Sequence, residues 1–265
     1  MPQWIAISRT QHAEHHYQPR QGYRFAAEQP VASILLAELP KLLPHYALGF
    51  IQQGEQYQPV ALLGLDGQTN LYVAPNGKWL GSYVPASLRG YPFTLANTED
   101  GQTALCIAQD HLLESEQGEP LFDGEGRLNE RVQQTLNFLQ ECEKSRQLTQ
   151  QAAKALGDSG VIEPWPLQVE RGEGQEPLKV QGLYRINETA LNELSAEAFA
   201  SLRSHGALAL AYGQLFSMHQ LSQLTERAKF HAKHQAQQPV EKAPSEPLES
   251  LFGGDDDEMV FDFGE

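Results

Sequence analysis

The chain has 265 residues, 40% of them hydrophobic and 9% aromatic, which suffices for one substantial domain or two small ones. Its formal charge is −15, with nine acids against one lysine, Lys242, between residues 239 and 265. Its Lys and Arg are scattered, which argues against nucleic acid as a partner, because a phosphate-binding surface needs them clustered. No run approaches the roughly 18 apolar residues of a membrane span, and the start of the chain lacks the basic and apolar stretches of a secretory signal. The two cysteines, Cys106 and Cys142, are too few for a disulfide framework. These features lead to the expectation of a cytoplasmic protein with free thiols.

In chain order, Trp4 to Ser8 reads as a short strand and Tyr23 to Ala27 as another. The Ala/Leu-rich run Val31 to Leu43 predicts a helix ended near Pro40 or Pro44. Strands are predicted at Tyr46 to Gln52, Gln58 to Leu65 and Asn70 to Val73, with Asp66-Gly67 and Asn76-Gly77 as hairpin turns. Pro92 to Ala96 and Thr103 to Ile107 add two strands. From Asn129, a plausible N-cap, to Leu156 the pattern turns helical: Val132, Leu136, Leu139, Leu148, Ala152 and Ala155 recur at spacings near three and four, and Gly157 is a candidate stop. Val161 to Val169 looks extended, and Leu178 to Val180 pairs with Leu183 to Ile186 as a hairpin. Helices are predicted at Asn187 to Leu194, at Ala196 to Ser204 with Ser195 as N-cap, and from Ala207 onward with Leu208, Ala211, Leu215, Met218, Leu221 and Leu224 on the apolar face.

The expected class is α+β: an antiparallel or mixed β-rich N-terminal block (1–126), a helix-rich half (127–234), and then a polar linker and acidic-aromatic tail (235–265) that read as disordered.

Several linked segments occur in order along the chain: PVALLGL (59–65), NLYV (70–73), GKWLGSYVPASLRGYPF (77–93) and GEPLFDGEG (118–126), then a long helix and GLYRINE (182–188). In this combination the chain resembles the bacterial SapC family, from near its start to about Leu224. The resemblance implies a link to surface-layer loci and to outer-membrane receptor and flavin-dependent, halogenase-like genes. It brings no catalytic residue set and no cofactor.

The residue types nevertheless single out candidate sites. Tyr83, Arg89, Tyr91 and Phe93, flanked by Pro85 and Pro92, suit either a packed corner or a pocket in which Arg89 takes a carboxylate bidentately and the tyrosines stack. Glu119 and Asp123 lie in an acidic loop anchored by Leu121 and Phe122; the loop lacks the ligand density of a calcium site, and either acid is a candidate partner for Arg89. His12, His15 and His16, and likewise His231 and His234, have spacings that would hold a transition metal, but the surrounding residues favour polar turns and a fraying helix end, so no metal is assigned. No nucleophile elbow, dinucleotide fingerprint or phosphate loop is present.

In the tail, acids alternate with Leu251, Phe252, Met259, Phe261 and Phe263, a pattern suited to docking in a groove with a basic rim. The sequence therefore points to an accessory or binding protein for a peptide or carboxylate-bearing partner, whose tail docks a second protein. The alternatives are an enzyme acting on a peptide or aromatic substrate beside halogenase-like flavoproteins, which requires Arg89, a tyrosine and Glu119 or Asp123 to converge, and a surface-layer structural protein.

Overall fold

The computed structural model describes residues 3–97, 103–114, 117–169 and 178–237. The candidate docking residues of the tail, Leu251, Phe252, Met259, Phe261 and Phe263, lie outside the described residues. Residues 1–231 form one compact unit; the second, 232–265, is described only over 232–237, which are helical.

The chain opens with β1 (Trp4–Ala6), α1 (Arg9–His12) and β2 (His16–Tyr17), followed by a 3-10 turn at Arg24–Ala26, where the sequence predicted a strand. Next come β3 (Val31–Ser33), a 3-10 turn at Leu36–Glu38, and α2 (Leu39–Leu42). The predicted helix over 31–43 is thus a strand followed by two short turns. Val31 and Ala32 align with Leu62 and Ala61 of the neighbouring strand, and this long-range pairing outweighs the helical preference of an Ala/Leu-rich run. Pro40 lies in the first turn of α2 rather than ending a helix, at a position where a missing N–H costs no hydrogen bond.

The hairpin β4 (Leu48–Gln53) and β5 (Gln56–Leu62) turns at Gly54, whose φ of 61° is left-handed. The predicted Asp66-Gly67 and Asn76-Gly77 turns exist but join no strands. Asp66 instead caps its own loop, accepting from the Gln68 and Thr69 amides, while Asn76-Gly77 closes the single bridge between Val73 and Trp79. Asn70 to Val73 is not a strand: the buried Asn70 donates to Ala26 O and accepts from Tyr72 N, so its side chain supplies bonds a ladder would have made.

Beyond α3 (Ala86–Arg89) come β6 (Phe93–Asn97) and β7 (Thr103–Ala108), the two predicted strands, which pair with each other, then β8 (Leu112–Leu113) and β9 (Glu119–Pro120). α4 (Glu130–Asp158) is 29 residues long, about 43 Å at 1.5 Å per residue. Asn129 caps it as predicted, accepting from Arg131 N, and the helix continues through Gly157 to Asp158.

The remaining elements are β10 (Ile162–Pro164), β11 (Gln168–Val169), β12 (Leu178–Lys179), β13 (Leu183–Ile186), α5 (Glu188–Asn192), α6 (Ala196–Ser204), α7 (Ala207–Ser217) and α8 (Leu221–Gln237). Ser195 caps α6 as predicted. The predicted hairpin between 178–180 and 183–186 does not form. β12 pairs with β11, while β13 lies between β10 and β4.

Every strand pairing among the described residues is antiparallel. The largest sheet has the order β10-β13-β4-β5-β3, and two three-stranded sheets run β1-β7-β6 and β8-β2-β9. The class is therefore α+β with an antiparallel, sheet-rich N-terminal part and a helical C-terminal half. The two parts interleave, since β13 and β10 complete the sheet begun by β3, β4 and β5.

Two hydrophobic cores result among the described residues. The larger lies between the five-stranded sheet, the C-terminal turns of α4 (Ala152, Ala153, Leu156) and α7; the smaller joins Tyr17, Phe93, Ile107 and Leu121 to Val132 at the other end of α4. Leu148, assigned by periodicity to the apolar face, is 59% exposed, while its neighbour Thr149 is buried and accepts from Leu36 N. On α7 the buried face includes polar residues that apolar spacing did not reveal. Gln214 accepts from Ile186 N and donates to Leu48 O, and Ser217 Oγ accepts from Leu48 N at 2.8 Å, tying the helix to β13 and β4.

Candidate ligand-binding site

The corner from Tyr83 to Phe93 is built over a buried acid. The Ala86 amide at the start of α3 donates to both oxygens of Glu38, at 3.2 and 3.3 Å. Glu38 is only 4% exposed; burial pushes its carboxyl up to about 7, against the opposing pull of the Ala86 N–H and the Arg89 charge. Tyr83 faces the core through its carbonyl, which accepts from Trp79 Nε1 at 3.0 Å and from the Tyr46 hydroxyl. Phe93 is buried edge-on against Tyr17, and Tyr91 stacks flat on Phe25 at 3.9 Å. The Tyr91–Pro92 peptide bond is cis. Much of the cluster is therefore packing.

Arg89 is the exception. Its Nη2 donates to the Tyr83 hydroxyl at 3.1 Å, and the guanidinium lies over the Phe138 ring at 4.7 Å and the Tyr83 ring at 5.3 Å. Among the described residues it forms no ion pair with a carboxylate. A cation lying over aromatic rings keeps its charge and most of its donors available.

Arg89 opens on a cavity of about 500 Å³, within the range of small-ligand sites. Arg89, Tyr91, Phe93 and Glu119 all line it, so the structure unites these four sequence candidates. Tyr83 contributes behind the wall, through its bond to Arg89. Asp123 is elsewhere: its Oδ1 accepts from the Glu125 and Arg127 amides and its Oδ2 pairs with Arg127 Nε at 3.1 Å. Those bonds hold its carboxyl below the usual range, and they define an exposed turn rather than a site.

Further lining residues escaped the sequence reading. Arg20, Arg131, Tyr17 and Phe138 complete the wall. Arg20 Nη1 donates to Leu88 O at 3.1 Å and its guanidinium covers the Tyr23 ring. Arg131, Gln134, Thr135 and Phe138 fall at helical spacing on one face of α4, apart from the apolar positions that periodicity singles out. Tyr17 and Arg20 carry no local signal, since only the fold brings them beside Arg89.

Glu119 is fully engaged. Its Oε2 accepts from the Tyr17 hydroxyl at 2.8 Å and its Oε1 pairs with Arg131. Burial, then the Glu119 contact, pushes the Tyr17 phenol well above its ordinary range, so it stays protonated as a donor. A carboxylate with both oxygens occupied is poorly suited to abstract a proton. The arrangement suits binding: two guanidinium groups that form no ion pair among the described residues, Arg20 and Arg89, beside aromatic walls.

The histidine expectations resolve differently. His12, expected in an exposed polar turn, is buried, with Nδ1 accepting from Ser8 N at 3.1 Å. His231 donates through Nε2 to Leu71 O. Among the described residues no group of three or more His, Cys, Asp or Glu side chains is placed to hold a metal ion, and no helix is long and apolar enough to cross a membrane. Cys106 and Cys142 are free thiols.

A family model described as SapC matches residues 7–224. No curated protein and no solved structure matches the chain.

Proposed function

The chain belongs to the SapC family, and from that premise we propose that it is an accessory binding protein whose cleft holds the carboxylate of a peptide or aromatic ligand. The observation that carries this reading is Arg89: a guanidinium over the Tyr83 and Phe138 rings, in no ion pair among the described residues, on the wall of a cavity it shares with Arg20. A carboxylate entering there gains a bidentate partner at little reorganisation cost, because the aromatic faces fix the guanidinium beforehand.

The convergence of Arg89, Tyr17 and Glu119 is what an enzyme acting on an aromatic substrate would need. The double engagement of Glu119 makes it a support for Arg131 and Tyr17 instead. The tail, with Leu251, Phe252, Met259, Phe261 and Phe263, is the second functional element and docks a protein partner.

The test is calorimetric titration of the full chain with N-acetylphenylalanine. Wild type binds it; Arg89→Ala weakens binding ten- to a hundredfold, the scale of one charged hydrogen bond lost. Arg89→Lys rescues only part, since an ammonium lacks the planar fork. Equal affinity in wild type and Arg89→Ala overturns the reading.

A further inference from the structure

Tyr91 lines three cavities, not one. Besides the cavity behind Arg89, a second of about 470 Å³ is bordered by Arg20, Arg24 and His111, and a third of about 550 Å³ by Trp4, Phe25 and Phe93. Neighbouring cavities share side chains: Arg20 borders the first and second, Phe93 the first and third, Phe25 the second and third. The three form one surface arranged around a single ring.

Its charge runs against the rest of the molecule. Arg20, Arg24, Arg89 and Arg131 face it, opposed by Glu119 and Asp110, and Glu119 is already paired with Arg131. Arg20 and Arg24 donate to the carbonyls of Leu88 and Pro75, and among the described residues neither forms an ion pair. In a chain of formal charge −15 this is a local reversal of sign. Beside it the third cavity is aromatic, with Trp4 39% exposed at its rim and edge-on to Tyr91 at 6.4 Å. Such a surface selects a segment that offers several acids and, a few residues away, an aromatic side chain.

The chain contains a segment of this chemistry: Asp255-Asp256-Asp257-Glu258 followed by Phe261-Asp262-Phe263, beyond the last described residue, Gln237. We propose that the surface around Tyr91 is an interaction site for the segment 255–263 of a second copy of this chain. The four consecutive acids meet the arginines, and the phenylalanines enter the aromatic cavity. The inference rests on the carboxylate reading above and adds the occupant and the second pocket.

The test uses full-length protein in sedimentation velocity across a concentration series. Wild type self-associates, and raised salt weakens the association because exposed charges are screened. A cleft variant, Arg20→Glu with Arg89→Glu, and a tail variant, Phe261→Ala with Phe263→Ala, are each monomeric alone. Mixed one to one they associate again, since one retains the segment and the other the cleft. A synthetic peptide of residues 251–265 dissociates the wild type, and the same peptide with both phenylalanines changed to alanine does not; this arm holds even where the cleft variant fails to fold. A wild type that is monomeric throughout, a tail variant that associates like wild type, or a mixture that stays monomeric overturns the inference. N-acetylphenylalanine binding that still depends on Arg89 would then leave the carboxylate site standing and remove only its proposed occupant.

Discussion

Replacing Glu38 by glutamine makes a pH-dependent prediction whose size follows from the structure. The carboxyl sits under α3, almost sealed from solvent, with Ala86 N as donor to both oxygens. Burial raises it from 4.5 to about 7. In the native state the group therefore holds its proton across a range in which the unfolded chain has released it. Its contribution to stability is greatest below pH 4.5, declines as the pH rises, and is lost by the time the folded value near 7 is passed. At about 1.4 kcal/mol per tenfold change the whole span amounts to about 3 kcal/mol. Glutamine resembles the protonated acid, can still accept from Ala86 N, and does not titrate. The stability of Glu38→Gln relative to wild type should thus climb by about 3 kcal/mol between pH 4.5 and pH 8. Urea unfolding of both proteins at several pH values measures this difference and cancels groups common to both. A difference that stays flat, or that falls with rising pH, would refute the assignment of a buried, proton-holding acid at this corner.

Gly64→Ala should lower the melting temperature by about 10 °C, as a Cβ there would lie 1.8 Å from the Thr69 carbonyl oxygen and force the 66–69 turn to move. Asn129→Ala removes the acceptor of Arg131 N at the start of α4 and should cost about 1 kcal/mol in denaturant unfolding. Burial pushes the Cys142 thiol up to about 11, so its alkylation at pH 8 should run about two orders of magnitude slower than that of an ordinary thiol and accelerate on unfolding; mass spectrometry of iodoacetamide-treated protein reads this site by site.

Several elements set by local signals agree between the sequence reading and the structure. The 93–97 and 103–108 strands, the Asn129 and Ser195 caps and the course of α4 are set by alternation, side-chain acceptors and helical spacing within a few residues. Where one segment depends on a distant one, they part. Val31–Ser33 has helical composition but lies at the edge of the main sheet beside β5, and Leu183–Ile186 leaves its neighbour in sequence to pair with β4 and β10. Asn70, Gln214 and Ser217 are buried polar residues that bond backbone groups of distant segments, Ala26 O, Ile186 N and Leu48 N. A hydrophobicity pattern has no means of registering them.

The candidate site divides along the same line. By itself the sequence determined the residue types of the Tyr83–Phe93 corner, the acid at Glu119 and the family to which this order of segments belongs. Tertiary structure alone decided that Glu119 is tied to Tyr17 and Arg131 and that Arg20 and Arg89 share a cavity wall. The physical reason is one of range. Caps, turns and helical faces are fixed by bonds between residues a few positions apart, whereas a binding surface is the sum of side chains from β2, α3, β9 and α4 that meet only once the smaller core has closed around Phe93 and Tyr17.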